Sequence, residues 1–198
     1  MNSFIFNNVN APLALSYKQP RAYTQAIIAG DAYYFQVSPS FSIFLLTLIT
    51  RYYCLQIVNP TLSTKGISVQ NLTLKRTLSG LSGLTSLDTE LYFYEGGTLS
   101  SANTVTTSNV NPSTGKTSIA QVKDVSFQLS SPLTGGNLID QFSIVSNDYT
   151  YFYDYSNELI IPANKTLSIL IKVNIVSALS LTGSVSLNLS LRYTEENP

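Results

Sequence analysis

Leu167-Ser-Ile-Leu-Ile-Lys-Val-Asn-Ile175 and Val185-Ser-Leu-Asn-Leu-Ser-Leu-Arg-Tyr193 decide the fold of this chain. In both stretches a branched or aromatic apolar residue occupies every second position, so an extended backbone gathers them on one face and a helix would scatter them. They read as half-buried strands, and Ser184 to Tyr193 offers one complete apolar face that must pair inside a sheet. Working outward, Val125, Phe127 and Leu129 repeat the alternation. The segments near Tyr23 to Val37, Arg51 to Val58, Ile67 to Leu78 and Glu90 to Glu95 are rich in the aromatic and branched residues that favour strands. No stretch presents a long helical stripe. The most apolar window, Phe41 to Ile49, falls well short of the roughly 20 residues that span a bilayer, and it reads as a strand buried on both faces.

Turn chemistry separates these runs: Asn59-Pro60, Ser79-Gly80, Gly96-Gly97, Asn111-Pro112, Gly135-Gly136 and Pro162-Ala-Asn164. Thr98 to Ser118 is poor in apolar residues and rich in Ser, Thr and Asn, which predicts a long surface loop with short strands inside it. Many short strands without crossover helices point to an all-β fold, a single jelly-roll-like β-sandwich over residues 1–198. The first 20 or so residues are expected to form an extended arm.

Composition narrows the function. The chain has 198 residues, 11 basic and 11 acidic, with a formal net charge of zero. Its 11% charged residues fall far below the roughly 25% of an ordinary domain. Affinity for nucleic acid built on phosphate neutralisation is not expected from such a chain. Histidine is absent, which removes the commonest general base, the His-containing triads and His-ligated metal sites. The single cysteine, Cys54, lies in Tyr52-Tyr-Cys-Leu-Gln-Ile-Val58 and reads as a small buried hydrophobe. The first residues lack the basic and apolar regions of a secretory signal. With no histidine and few carboxylates, stability is expected to change little between pH 7 and pH 5.

Candidate chemistry is sparse. Asp88 and Glu90 can share a strand face and Asp148 and Asp154 flank a tyrosine run, but neither spacing selects a glycosidase pair or a calcium loop. Neither Gly pair leads into a Lys-Ser/Thr and a helix, so both read as hairpin turns rather than phosphate cradles. Tyr149, Tyr151, Tyr153 and Tyr155 have the same parity and would share one face of a strand. Such a ladder serves as internal packing, as a contact face for a protein partner, or as a platform for a sugar.

Leu91-Tyr-Phe-Tyr-Glu-Gly-Gly-Thr98, Asn109-Val-Asn-Pro-Ser-Thr-Gly-Lys-Thr-Ser118, Asn157-Glu-Leu-Ile-Ile-Pro-Ala-Asn-Lys-Thr166 and the closing Arg192-Tyr-Thr-Glu195 together resemble a family of tailed-phage virion structural proteins. Ala26 to Tyr33 and Tyr53 to Pro60 are similar to that family's opening strands, so the likeness spans nearly the whole chain. The resemblance implies a non-enzymatic bacteriophage virion protein, a capsid decoration or cement protein on the capsid or tail surface, with no catalytic residue, metal or cofactor. Its implied partners are copies of itself and other virion proteins, without nucleic acid or membrane. A surface so poor in charge gives little protection against association, which also favours a homo-oligomer or lattice. The expected interface comprises Tyr149, Tyr151, Tyr153 and Tyr155, together with Asn109 and Asn111 of the long loop. The alternative function is a carbohydrate-binding or receptor-binding module of a tail or fibre, with the tyrosine ladder as its platform.

Overall fold

The two alternating stretches are halves of one strand. In a computed structural model, which describes residues 21–80, 84–144 and 150–196, the chain runs α1 (Arg21–Ala29), β1 (Ala32–Val37), β2 (Ser40–Val58), β3 (Gly66–Ser79), β4 (Leu84–Glu95), β5 (Thr98–Leu99), β6 (Asn103–Val105), β7 (Ser108–Asn109), β8 (Gln121–Gln128), β9 (Leu133–Thr134), β10 (Asn137–Ile144), β11 (Thr150–Ile161) and β12 (Thr166–Glu196). Strand β12 is 31 residues long and is the spine of the molecule.

Along one edge, β12 pairs with β2 from Thr166 to Ser186 and then with β1 from Leu189 to Thr194. Along the other, it pairs with β4 from Leu167 to Ser177 and with β3 from Ser184 to Glu196. Outside these, β10 pairs with β4 and β11 with β3. Among the described residues the result is two antiparallel sheets continuous through β12, with β5 and β9 forming a separate two-stranded pair. The first has the order β10-β4-β12-β2, extended by β8 and β6; the second has the order β11-β3-β12-β1, extended by β7. Successive strands β1–β2, β3–β4 and β10–β11, and the two halves of β12, each divide between the sheets, which is the strand order of a jelly roll.

The sheets pack face to face through the predicted positions. Leu167, Ile169, Ile171, Val173 and Ile175 from the first half of β12, and Val185, Leu187, Leu189, Leu191 and Tyr193 from the second, are all buried in one core. The strand ends also join across the sheets. Asn59, after β2, donates from Nδ2 to the carbonyls of Lys65 (2.8 Å) and Ile161 (2.9 Å), which lie before β3 and at the end of β11. Pro39 breaks β1 from β2 because it has no N–H to give the ladder. Its carbonyl still accepts from the Leu187 amide at 2.9 Å, so the pairing with β12 resumes at once.

Two local readings need correction. Residues 21–29, expected within an aromatic strand segment from Tyr23 to Val37, form α1. Tyr23, Ala26 and Ile27 recur at helical spacing, and they pack with Ala32 and Val110 in a small second cluster. The helix stops at Gly30, whose φ of +77° favours glycine. There the amides of Gly30 and Asp31 close back onto the carbonyls of Ile27 and Ala26. A side chain at Gly30 would also collide with Thr114. The second correction concerns Phe41 to Ile49, read as buried on both faces. Within β2, Ile43 and Ile49 enter the core, but Phe44 and Leu48 are 70% and 68% exposed on the opposite face.

The long loop is an insertion between β4 and β10, and it holds short strands as expected. One part folds over the outer face of the first sheet: Gln56 Nε2 donates to the Gly97 carbonyl (3.1 Å) and to Ser168 Oγ (3.0 Å), and Ser168 Oγ donates to the Gly96 carbonyl (2.6 Å). Gly97 has a φ of +90°, and a Cβ there would stand 2.6 Å from Leu133 Cδ1, so the turn requires glycine at this place. Cys54 is fully buried and its thiol is pushed up to about 12 by burial, in keeping with a packing role.

Candidate interaction surface

The residues expected to form an interface fall in two places. Tyr149 lies outside the described residues, as do the side chains of Tyr151, Tyr153 and Tyr155. The backbone of β11 pairs Tyr151 with Leu74 and Tyr153 with Leu72, both buried in the core, before the register shifts after Asp154. Asn109 and Asn111 are committed within the chain. Asn109 donates from Nδ2 to the carbonyls of Gly30 (2.8 Å) and Lys116 (3.1 Å), and its Oδ1 accepts from the Asn111 amide (2.8 Å). Asn111 Oδ1 accepts from the Ser113 hydroxyl, which tightens the same turn.

The outer face of the first sheet carries a different set of tyrosines. Register places Tyr52, Lys172 and Glu90 in one row across β2, β12 and β4, with Cys54, Leu170 and Tyr92 in the next. Tyr92 and Tyr94 alternate with buried Leu91 and Phe93, and their rings lie 6.5 Å apart. Glu90 accepts from Lys172 (3.1 Å), from Asn174 Nδ2 (2.8 Å) and from the Tyr92 hydroxyl. Burial pulls its carboxyl up, but these donors outweigh burial and hold it below the usual range. Asp88 shares the face, opposite Asn174.

Toward the end of this face where β12 crosses between sheets, the polar rows give way to apolar side chains. Leu48 pairs with Val176, which is 39% exposed, and Phe44 follows four residues before Leu48 with the same parity. Sequence reading missed this stripe because the run Phe41 to Ile49 is apolar at nearly every position. The weak signal was Ser40 and Ser42, which share the parity of Phe44 and Leu48, too little to reveal an uncovered face.

A cleft of about 550 Å³ opens in the insertion, between Thr104–Asn109 and Lys116–Lys123, with Tyr33 among its lining residues. Buried groups fix its wall. Tyr33 Oη donates to the Thr117 carbonyl at 3.2 Å. Glu195, 2% exposed, accepts through Oε1 from the Ser118 hydroxyl (2.6 Å) and the amides of Ile119 (2.8 Å) and Ala120 (3.3 Å). Ser118 has one proton and gives it to Glu195, so Tyr193 Oη, 2.6 Å away, is the donor in its contact with Ser118.

Burial pushes the Glu195 carboxyl up, and its three hydrogen bonds only partly oppose that. For Asp31 burial also acts upward, but the ammonium groups of Lys65 and Lys116 prevail and lower it. The signs differ in their consequences. The contribution of Glu195 is complete below its unfolded value near 4.5 and is lost as pH rises through the higher folded value. Those of Asp31 and Glu90 are complete above 3.8 and 4.5 and are lost on further acidification. Thermal stability should therefore hold or rise slightly from pH 7 to pH 5 and decline below pH 4. In Glu195→Gln the slight rise should disappear; a wild-type melting temperature that drops steeply between pH 7 and pH 5 would contradict this assignment.

No family model matches the chain, and this includes the tailed-phage virion proteins that its motifs resemble. No curated protein matches it. Among solved structures, one described as Desmodium yellow mottle tymovirus is similar at 11% identity over 97% of both chains, with a TM-score of 0.21. The fold assignment rests on the strand order and not on that superposition.

Proposed function

We propose that this chain is a structural protein of a virus particle, a capsid decoration or cement protein that packs against copies of itself and other virion proteins. The observation that carries the reading is the open apolar stripe of Phe44, Leu48 and Val176 on the outer face of the first sheet. A monomer gains nothing from large apolar side chains there, whereas a partner surface removes them from water. Beside the stripe, Tyr52, Tyr92 and Tyr94 add amphipathic area at low rotamer cost, of the kind enriched in interfaces. The zero net charge supplies no long-range repulsion between copies. Jelly rolls recur in viral capsid domains, which agrees with the reading at the level of fold, and the sequence motifs point the same way.

The test is a Phe44→Ser, Leu48→Asn double variant. Both side chains are exposed, so the melting temperature should stay within the range set by about 0.5 kcal/mol per surface change. Incorporation into particles and self-association by light scattering should fall at least tenfold. A folded variant that enters particles as well as wild type would overturn the proposal. Copy number in purified particles separates the finer roles: hundreds of copies mark a shell component, and a handful marks a tail part.

A further inference from the structure

We propose that the cleft in the β4–β10 insertion binds a sugar bearing a carboxylate, such as the acidic terminal residue of a glycan. The site is separate from the stripe on the first sheet, so its failure would leave the assembly role untouched, and the reverse holds too.

The cleft has a wall fixed by buried side chains. The wall from Lys116 to Ala120 is held by four side chains from elsewhere in the chain: Tyr33, Asn109, Tyr193 and Glu195. Tyr33, Tyr193 and Glu195 are each 98% or more buried. Burying a carboxylate is unfavourable unless its lone pairs are satisfied. Here that group is used to fix Ser118, Ile119 and Ala120, and apolar packing would secure an idle loop with less desolvation. The backbone behind the cleft is thus set before any ligand arrives, which lowers the ordering cost of binding.

The lining combines hydroxyl, amide, apolar and cationic groups. Half-buried Val105 provides a small apolar patch suited to the C–H face of a pyranose, backed by the buried Val122 and Tyr33. Thr104, Thr106 and Gln121 supply hydroxyl and amide groups suited to sugar hydroxyls. The charged residues of the described lining are Lys116 and Lys123, and no carboxylate is among those described residues. Lys116 is already paired with Asp31 at 3.1 Å. Lys123 has no ion pair among the described residues and leaves one positive charge to be matched. A cleft with one unpaired cation, several hydroxyls and a small apolar patch fits a singly charged, hydroxyl-rich ring better than a phosphate chain, which would call for more cations. Its volume of about 550 Å³ is in the range of about 300–1,000 Å³ of small-ligand sites and suits one or two sugar units.

The test uses the full chain with N-acetylneuraminic acid and galacturonic acid as probes, and galactose as the uncharged control. Saturation-transfer NMR should show transfer from the protein to at least one acidic probe and little to galactose, and titration should give its affinity. Lys123→Gln keeps a polar side chain of similar length on a half-exposed strand position, so the melting temperature should stay unchanged while that affinity falls at least tenfold. Equal transfer to galactose, no transfer to either acid, or wild-type affinity in the folded Lys123→Gln variant would each overturn the proposal.

Discussion

A chain truncated after Ser180 should not fold: it should precipitate on expression or, kept in solution, show no cooperative thermal transition by circular dichroism. The lost segment, 181–196, is the second half of β12 and lies between β3 on one side and β1 with the start of β2 on the other. Its removal leaves the second sheet without its central strand and opens two long strand edges, each a template for association. Val185, Leu187, Leu189, Leu191 and Tyr193 go with it, all fully buried. Five such side chains at about 1.5–3 kcal/mol each are comparable with the whole net stability of about 5–15 kcal/mol for a domain. No local rearrangement offsets that loss, because the remaining half of β12 is already paired on both edges with β2 and β4. A soluble truncated chain with a cooperative melt would show that the second sheet folds without its spine.

The same strand explains how much could be read from sequence. Strict alternation at 167–175 and 185–193 marks two apolar faces, and both are buried as their period requires. Alternation says nothing about which strands flank them, and nothing in it distinguishes two strands from one strand divided between two sheets. The glycine pairs were readable as turns because their positive φ values are costly for other residues. Helix α1 was not, since nine residues allow only two turns and its apolar side chains resemble those of the strand that follows. The candidate surface was the least legible part. The tyrosines at 151 and 153 are prominent in sequence, and the backbone pairs them with Leu74 and Leu72 of β3. Tyr52, Tyr92 and Tyr94 meet on one face only through pairings across β2, β12 and β4. Glu195 was equally hidden: an acidic residue beside a chain end reads as solvated, and its burial against Ser118, Ile119 and Ala120 depends on contacts some 75 residues away.

Replacing Tyr193 should separate the core from the cleft wall. Its ring is fully buried, lies 5.7 Å from that of Tyr33 at an interplanar angle of 25°, and meets Phe35 at 6.5 Å. Tyr193→Ala removes this packing and leaves a cavity between β1 and β12, at an expected cost of about 3–5 kcal/mol. Tyr193→Phe keeps the ring and removes only the hydroxyl that donates to Ser118, at about 0.5–1.5 kcal/mol. Ser118 in turn donates to Glu195, so loss of that donor slackens the contact that holds the wall without emptying the core. Denaturant unfolding should therefore rank wild type above Tyr193→Phe and well above Tyr193→Ala. Hydrogen exchange at the Ile119 and Ala120 amides should accelerate in Tyr193→Phe while exchange at Leu189 and Leu191 stays near its wild-type rate. If Phe and Ala destabilised the protein equally, the ring would carry none of the packing assigned to it. If the Phe variant left the two wall amides as protected as before, the hydroxyl chain would not be what holds the cleft in shape.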